Sequence, residues 1–333
     1  MSGAMLEPAS VPDVKPPRRD RSAERLRRVD RIGDGLLYGI CAFACLLAVV
    51  ALLLVAVEVA QGAGPAVSKF GVGFLTSTNW QPNFGEFGAG SLIFGTAFSS
   101  FFALLLGAPI AIAIGLFLSE LAPKSVRGVV APLVEMLAAI PSVILGFWGI
   151  LILAPFVRDH IEPFLHSTLG FLPIFGEPQT TGASVFTASL ILTIMIVPII
   201  AAISRDLFLS VPRDIQDGAS ALGATRWEVV RGVVLPSTGS GVVAASLLGL
   251  GRALGEAIAV TQVIGAGSKI KASLFETGDT LAGRIANEFP GAITELHKAS
   301  LFYCGLILLV IGLVSNLLAQ WIGRRFDYAQ AAK

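Results

Sequence analysis

The sequence contains few charged side chains for its length. Only 14% of its 333 residues are Asp, Glu, Lys or Arg, whereas 54% are hydrophobic, and the mean hydropathy is +0.77. A soluble domain carries about 25% charged residues, so this composition excludes an ordinary soluble protein. The formal net charge of +1 likewise gives no reason to expect a nucleic-acid partner.

Cysteine and histidine are also scarce, with three of each. Cys41, Cys45 and Cys304 fall in hydrophobic segments, and no CxxC pair occurs. His160 and His166 are six residues apart, which is weak evidence for a metal. We therefore expect neither a disulfide framework nor a metal site.

Long hydrophobic segments dominate the remainder of the chain. A bilayer core is crossed by about 20 helical residues, and six segments reach that length. We predict an all-α polytopic membrane protein, with a basic tail at 1–33, a transmembrane domain at 34–326 and a second tail at 327–333. The predicted spans are residues 36–57, 93–118, 129–156, 183–203, 241–265 and 300–322.

Basic residues are concentrated on alternate connections, and this predicts the orientation. Cytoplasmic loops carry an excess of Lys and Arg. Residues 1–33, the second-to-third connection, the fourth-to-fifth connection and the C-terminal tail are the basic ones. We therefore expect both termini in the cytoplasm. We also expect the first span to be retained, because it is longer than the hydrophobic region of a signal peptide.

The connection at 212–236 has the features of two short helices joined near Gly223. Pro212 suits a helix start, and Asp214 and Asp217 place negative charge near helix N-termini. By itself this pattern is that of a cytoplasmic helical hairpin that connects two spans.

The same connection resembles the EAA loop of the permease subunits of type I ABC importers. The family pattern E-A-A-x3-G-x9-I-x-L-P matches in spacing, with Asp for Glu, Gly for Ala and Val for Ile. The resemblance implies a coupling helix that docks on a separate ATPase. The residues concerned are Asp217, Gly218, Ala219, Gly223, Ala224, Trp227, Leu235 and Pro236.

The resemblance narrows to the permeases of phosphate-specific (Pst) importers over residues 70–325. The phrases FGVGFLTSTNWQP, FLSELAP, EMLAAIPSVILGFWGI and GLGRALGEAIAV carry it, and the first two favour the PstC over the PstA kind. It implies the bacterial inner membrane, a PstA-like permease partner, a PstB-like ATPase dimer and a PstS-like outer phosphate-binding protein.

No cofactor is expected in this chain. It lacks the phosphate-binding loop G-x4-G-K-[ST], and the nearest fragment, GAGSKIKAS, has the wrong spacing. The resemblance implies that ATP and Mg are bound by the partner ATPase. We therefore expect a membrane subunit that is not itself an enzyme.

Arg252 and Glu256 lie inside a predicted span. On a continuous helix they would share a face and pair, with β-carbons about 5–6 Å apart. Each charge at a bilayer centre costs roughly 2.5–3.5 kcal/mol, so both are expected to face the bundle interior or water. One interpretation is an ion pair that fixes helix packing. The other, which similarity to the Pst permeases implies, is a phosphate pathway.

Four further polar residues are candidates for this pathway: Ser142, Thr261, Gln262 and Glu135. Helix-packing hydrogen bonds are an equal expectation for each of them. Two other functions remain open. The chain could transport another oxyanion such as sulfate or molybdate, or it could be a phosphate-sensing scaffold that couples transporter state to a membrane kinase.

Overall fold

The computed structural model describes residues 21–331, so the predictions for 1–20 and for the last two residues lie outside the described part of the chain. The chain divides into two compact units, Met1–Val55 and Ala56–Lys333. In the first unit a helix begins at Arg21, and its side chains from 33 to 55 are all exposed. This helix continues into the second unit and ends at Phe70.

Six helices of the described chain are long and apolar enough to cross a membrane. We call them the first to sixth spans, and the prediction of an all-α polytopic protein is confirmed. The described residues contain no strand, and one isolated bridge joins Gln81 to Glu86. The spans are Gly33–Phe70, Gly90–Leu121, Ser142–Leu169, Val185–Leu209, Arg226–Gly255 and Glu295–Leu318.

Short helices occupy the connections between the spans. We name the two ends of the span bundle after the predicted orientation: the inner end carries Lys124–Leu137 and Arg213–Ala221. The outer end carries the remaining connections. Their helices are Gly73–Thr76 and Leu281–Glu288, and Ile258–Ile264 leads into the last of these connections.

The fourth span forms the centre of the core and packs against the second and fifth spans. Ile191, Ile196 and Ile200 of this span are fully buried. Glycines permit the close approach: a Cβ on Gly107 would lie 3.0 Å from Ile196, and one on Gly249 would lie 2.6 Å from Ile200. Small residues at such contacts allow the dispersion contacts that stabilise helices in membranes.

The third span begins later than predicted. The sequence suggested one span over 129–156, but Lys124–Leu137 is a separate helix and the span starts at Ser142. Pro141 has ψ 136°, which is not helical. Its ring also disfavours a helical conformation for Ile140, the residue before it. Pro109 and Pro198, in contrast, lie inside continuous helices.

The fifth span is also displaced from its predicted bounds of 241–265. Its helix starts at Arg226, passes through a π-helical turn at Val230–Val234 and ends at Gly255. The π turn accommodates Pro236, which lacks the N–H that a regular helix would use. Leu235-Pro236 therefore lies within a continuous helical segment.

Candidate translocation and coupling sites

The fifth span ends at Gly255, and Glu256 and Ala257 form an interruption between it and the short helix that follows. Glu256 has φ −73° and ψ 121°, which is extended, and a new helix runs from Ile258 to Ile264. Arg252 is exposed and occupies the last turn of the helix before the break. The two charged residues therefore belong to different helical segments.

The predicted helical pairing of Arg252 with Glu256 is wrong. Among the described residues, no ion pair joins these two side chains. The four-residue spacing brings side chains together only on a continuous helix. Gly249, Gly251 and Gly255 weaken this helix, since each glycine costs about 1 kcal/mol relative to alanine in a helix interior.

Each charge instead matches a helix end. Arg252 lies at a C-terminus, where the helix dipole favours cations, and Glu256 precedes an N-terminus, where it favours anions. The Glu256 carboxylate Oε1 accepts a hydrogen bond of 3.3 Å from the N–H of Ala259. The guanidinium of Arg252 is exposed and is in no ion pair with the residues that the structure describes.

The start of the third span lies beside this interruption. A Cβ on Gly146 would lie 3.0 Å from the Cα of Ala259, and one on Gly149 would lie 2.8 Å from Val263. The helices that begin at Ser142 and Ile258 therefore run side by side in the same direction. Both begin near the level of Glu256.

The other predicted pathway residues differ in their surroundings. Gln262 lies against Gly146, and its buried Oε1 has no hydrogen-bond partner. Ser142 is half-buried at the start of the third span. The Thr261 hydroxyl donates to the carbonyl of Ala257 at 2.7 Å, within its own helix. Ser142 and Gln262 thus lie on the two helices that run side by side beyond the interruption, while Thr261 has an internal partner.

Glu135 does not lie at this interruption. It belongs to the inner helix Lys124–Leu137, and its Oε1 is 2.7 Å from Arg205 Nη1 of the fourth span. Arg205 also contacts Asp206 at 2.8 Å. The alternative that Glu135 pairs with a neighbouring helix is confirmed.

The sequence predicts two helices over 212–236: the first is Arg213–Ala221, in the connection, and the second is the start of the fifth span at Arg226. Asp217, Gly218 and Ala219 lie on Arg213–Ala221, and Gly223 has φ +90°, a conformation that glycine adopts at little cost. After Ala224, Thr225 begins the next helix with a capping box. Its hydroxyl accepts from the Glu228 N–H at 3.4 Å, and its own N–H donates to the Glu228 carboxylate at 2.7 Å.

This connection presents three exposed apolar side chains. Leu222 is 91% exposed, Trp227 64% and Ile215 54%. Ile215 and Leu222 had no role in the sequence prediction, although an apolar residue at each end of a polar helix could have indicated them. Clustered exposed apolar residues are typical of protein-docking surfaces.

A buried charge network at the outer end was missed by the sequence prediction. Arg284 contacts Asp279 at 2.7 Å and Glu288 at 2.6 Å. Glu288 Oε2 also accepts a hydrogen bond of 2.8 Å from Trp80 Nε1, and it lies 2.8 Å from His297 Nε2. The i,i+4 spacing of Arg284 and Glu288 could have indicated their ion pair. No local pattern could have indicated the contact of Trp80 with Glu288, because the two are 208 residues apart.

The network shifts two pKa values in opposite directions. Burial raises the pKa of Asp279 by more than Arg284 lowers it. Burial also raises the pKa of Glu288, but the hydrogen bonds from Arg284, Trp80 and His297 outweigh it, so the net shift is downward. Glu288 is therefore held as a carboxylate by its donors.

The combination of multiple spans, an interrupted helix and an exposed helical connection is that of a transporter membrane subunit. The profile of the family "Binding-protein-dependent transport system inner membrane component" matches residues 107–328. The chain is also 38% identical to the phosphate transport system permease protein PstC of Mesorhizobium japonicum, across 96% of this chain and 98% of that protein. It is 41% identical to PstC of Pasteurella multocida, across 95% and 99%.

The fold has a relative among solved structures. A bacterial ABC transporter involved in the import of alginate gives a TM-score of 0.57 at 20% identity, covering 90% of this chain and 99% of that one. The family match defines the class as an inner membrane component of a binding-protein-dependent transport system, and the fold agrees with that of an ABC importer. Within that class, this chain belongs to the PstC family of phosphate transport system permease proteins.

Proposed function

We propose that this chain imports inorganic phosphate as the membrane subunit of an ATP-driven transporter. The observation that carries the proposal is the interruption after the fifth span. Arg252, which forms no ion pair with any residue that the structure describes, lies on one side of it, and Glu256 lies on the other. Transporters commonly form substrate sites from discontinuous membrane helices. The names of the PstC relatives support phosphate as the ion.

The two charges have different roles. An arginine fork binds an oxyanion through two parallel N–H donors. A transported ion must bind well enough to enter and weakly enough to leave. The Glu256 carboxylate reduces the positive potential near Arg252 and so shortens phosphate residence. Ser142 and Gln262 supply uncharged hydrogen-bonding groups close by.

The remaining parts of the transporter are separate chains in this proposal. A PstA-like permease completes the pathway, a PstB-like ATPase dimer binds ATP and Mg, and a PstS-like protein delivers phosphate from outside. This chain performs no covalent chemistry. It lies in the bacterial inner membrane with both termini in the cytoplasm, as its basic inner connections favour.

Substrate identity is tested with vesicles that contain the co-expressed complex. We expect ATP-dependent uptake of radiolabelled phosphate that persists in excess sulfate and excess molybdate. Uptake that either competitor blocks would instead assign the chain to another oxyanion. Normal signalling to a membrane kinase without any uptake would favour the sensing scaffold.

Coupling of the membrane subunit to the ATPase is tested at Leu222, an exposed apolar residue of the connection between the fourth and fifth spans. Leu222→Glu places a charge on a side chain that is 91% exposed, so folding is preserved while an apolar docking contact is lost. We expect uptake and transport-linked ATP hydrolysis to fall together. The matched control is Phe171→Glu at the outer end, where the side chain is 79% exposed and a cytoplasmic ATPase has no access. Equal effects of the two substitutions would contradict the coupling role.

A further inference from the structure

The short helix Ile258–Ile264, which follows the interruption, is held in place by other segments. It has only seven residues. Helix nucleation is costly, so a segment this short depends on its tertiary contacts. Ala259 and Val263 on its side pack against the start of the third span, and both are fully buried. The place of Glu256, which precedes the helix, therefore depends on what holds the helix.

The outer end of this helix is held by two backbone donors from other segments. The last carbonyls of a helix have no partner within it. The carbonyl of Val263 accepts from the Ser184 N–H at 3.0 Å, and that of Ile264 accepts from the Gly278 N–H at 3.0 Å. Ser184 is the N-cap of the fourth span. The start of the fourth span is thereby tied to the end of the short helix.

Ser184 is in turn fixed by Glu162 of the third span. Both residues are fully buried. The Ser184 hydroxyl donates to Glu162 Oε1 at 3.3 Å and accepts from the Thr187 N–H at 3.2 Å. Glu162 Oε2 accepts from the Gln179 N–H at 3.0 Å. The carboxylate thus joins the third span, the connection after it and the cap of the fourth span.

Glu162 differs from the buried carboxylate of Asp279, which is paired with Arg284. Among the residues that the structure describes, Glu162 is in no ion pair. A buried carboxylate without a cation is costly unless hydrogen bonds satisfy it. Each oxygen of Glu162 has one donor, and the two donors come from different segments. A carboxylate, with two acceptor oxygens, is suited to hold two such donors at a fixed separation.

We propose that Glu162 is a positioning residue for transport. Acting through Ser184, it fixes the outer end of the short helix Ile258–Ile264 and so the place of Glu256 at the start of that helix. The third span then holds this helix at two points, directly along its side and through Glu162 at its end. The role of Glu256 in a phosphate pathway rests on the proposed function, whereas the contacts that position the helix do not.

Hydrogen–deuterium exchange measures how firmly the short helix is held, in the full chain co-purified with its partner subunits. We expect Glu162→Ala to speed amide exchange at 258–264 by roughly tenfold, because a lost hydrogen bond favours local opening. The amides of 235–255, in the helix before the interruption, should exchange at the wild-type rate. Unchanged exchange at 258–264, or an equal increase in both segments, would overturn the proposal.

Three further variants test whether Glu162 acts through Ser184. Ser184→Ala retains its backbone N–H but loses the hydroxyl, so we expect the same increase at 258–264, and no larger increase in the double variant. Glu162→Gln retains an acceptor for the Gln179 N–H, and the Ser184 hydroxyl can accept from the new amide, so exchange should stay near the wild-type rate. Ser189→Ala is the matched control, because Ser189 is fully buried on the same span and donates within its own helix at 2.8 Å. Equal increases in Ser189→Ala and Ser184→Ala would overturn the proposal.

Phosphate uptake by the same variants separates this inference from the proposed function. We expect Glu162→Ala and Ser184→Ala to lower the maximal rate of ATP-dependent uptake severalfold, and Glu162→Gln to retain most of it. A wild-type complex that takes up no phosphate would contradict the proposed function alone, since the exchange result does not depend on it. Wild-type uptake by a folded Glu162→Ala complex would overturn the positioning role.

Discussion

Arg284 and Arg252 are two arginines of a mostly apolar chain, and they differ in burial and in ion pairing. Arg284 is largely buried and contacts two carboxylates, Asp279 and Glu288, at 2.7 and 2.6 Å. Arg252 is exposed at the end of a broken helix, and within the described residues it is in no ion pair. A charge that is ion-paired within the folded chain serves structure, whereas a charge in no ion pair can bind a ligand. The predictions below test this difference.

The largest stability effect is expected at Arg284. Arg284→Ala leaves Asp279 and Glu288 without their cation, and breaking a buried ion pair costs about 3–5 kcal/mol. The control is Arg158→Ala, whose pair with Asp159 is 38% and 50% exposed and is expected to contribute little to stability, because water screens it. Thermal unfolding of the purified complex measures both. Equal unfolding midpoints for the two variants would contradict a larger contribution to stability from Arg284 than from Arg158.

Acidification is expected to weaken the same network through Glu288. Its folded-state pKa is below the ordinary value of 4.5, so its contribution is complete above that pH and is lost as pH falls through the folded value. Asp279 acts in the opposite sense, because its raised pKa favours the folded state upon protonation. Unfolding midpoints between pH 7 and pH 3 should show a loss in the wild type that Glu288→Gln reduces. An identical acid slope in the variant would contradict this assignment.

An intermediate effect is expected at Glu162, which is fully buried within the third span. Its carboxylate accepts from the Gln179 N–H at 3.0 Å and from the Ser184 hydroxyl at 3.3 Å. Glu162→Ala leaves these donors without an acceptor, at a cost of about 1–3 kcal/mol. Glu295→Ala, at a side chain 89% exposed, is the control and should leave the unfolding midpoint unchanged. A stable Glu162→Ala variant would show that water replaces the carboxylate.

The smallest stability effect is expected at Glu256. Glu256→Gln retains an amide oxygen that can accept from the Ala259 N–H, so the change in unfolding free energy should be below about 1 kcal/mol. Phosphate uptake should nevertheless fall, because the charge that moderates the field near Arg252 is lost. Unfolding and uptake measured on the same variant separate its effect on stability from its effect on transport. A variant with normal uptake would exclude Glu256 from the pathway.

Hydrophobicity and spacing were sufficient to predict six spans and a turn at Gly223, but not the bounds of the third and fifth spans. The six apolar segments correspond to six helices, and Gly223 has the positive φ expected of a turn glycine. The start of the third span was placed too early, because residues 129–140 are apolar enough to extend a span. Hydropathy does not register the local conformational restriction that Pro141 imposes.

The geometry of the candidate site differs from the geometry that the sequence predicted. Helical spacing placed Arg252 and Glu256 on one face, yet the helix ends at Gly255. The outer network could not be assembled from sequence, because Trp80 and Glu288 meet only through the packing of separate connections. Long-range contacts of this kind have no local periodic signal.

The most direct test of the central claim compares Arg252→Ala with Arg284→Ala in one preparation. ATP-dependent phosphate uptake and the unfolding midpoint are measured for each variant in the same complex. The account predicts that Arg252→Ala retains the wild-type midpoint and loses phosphate uptake, while Arg284→Ala unfolds at a lower temperature. Normal uptake by a correctly inserted Arg252→Ala complex would contradict the assignment of Arg252 to the phosphate pathway.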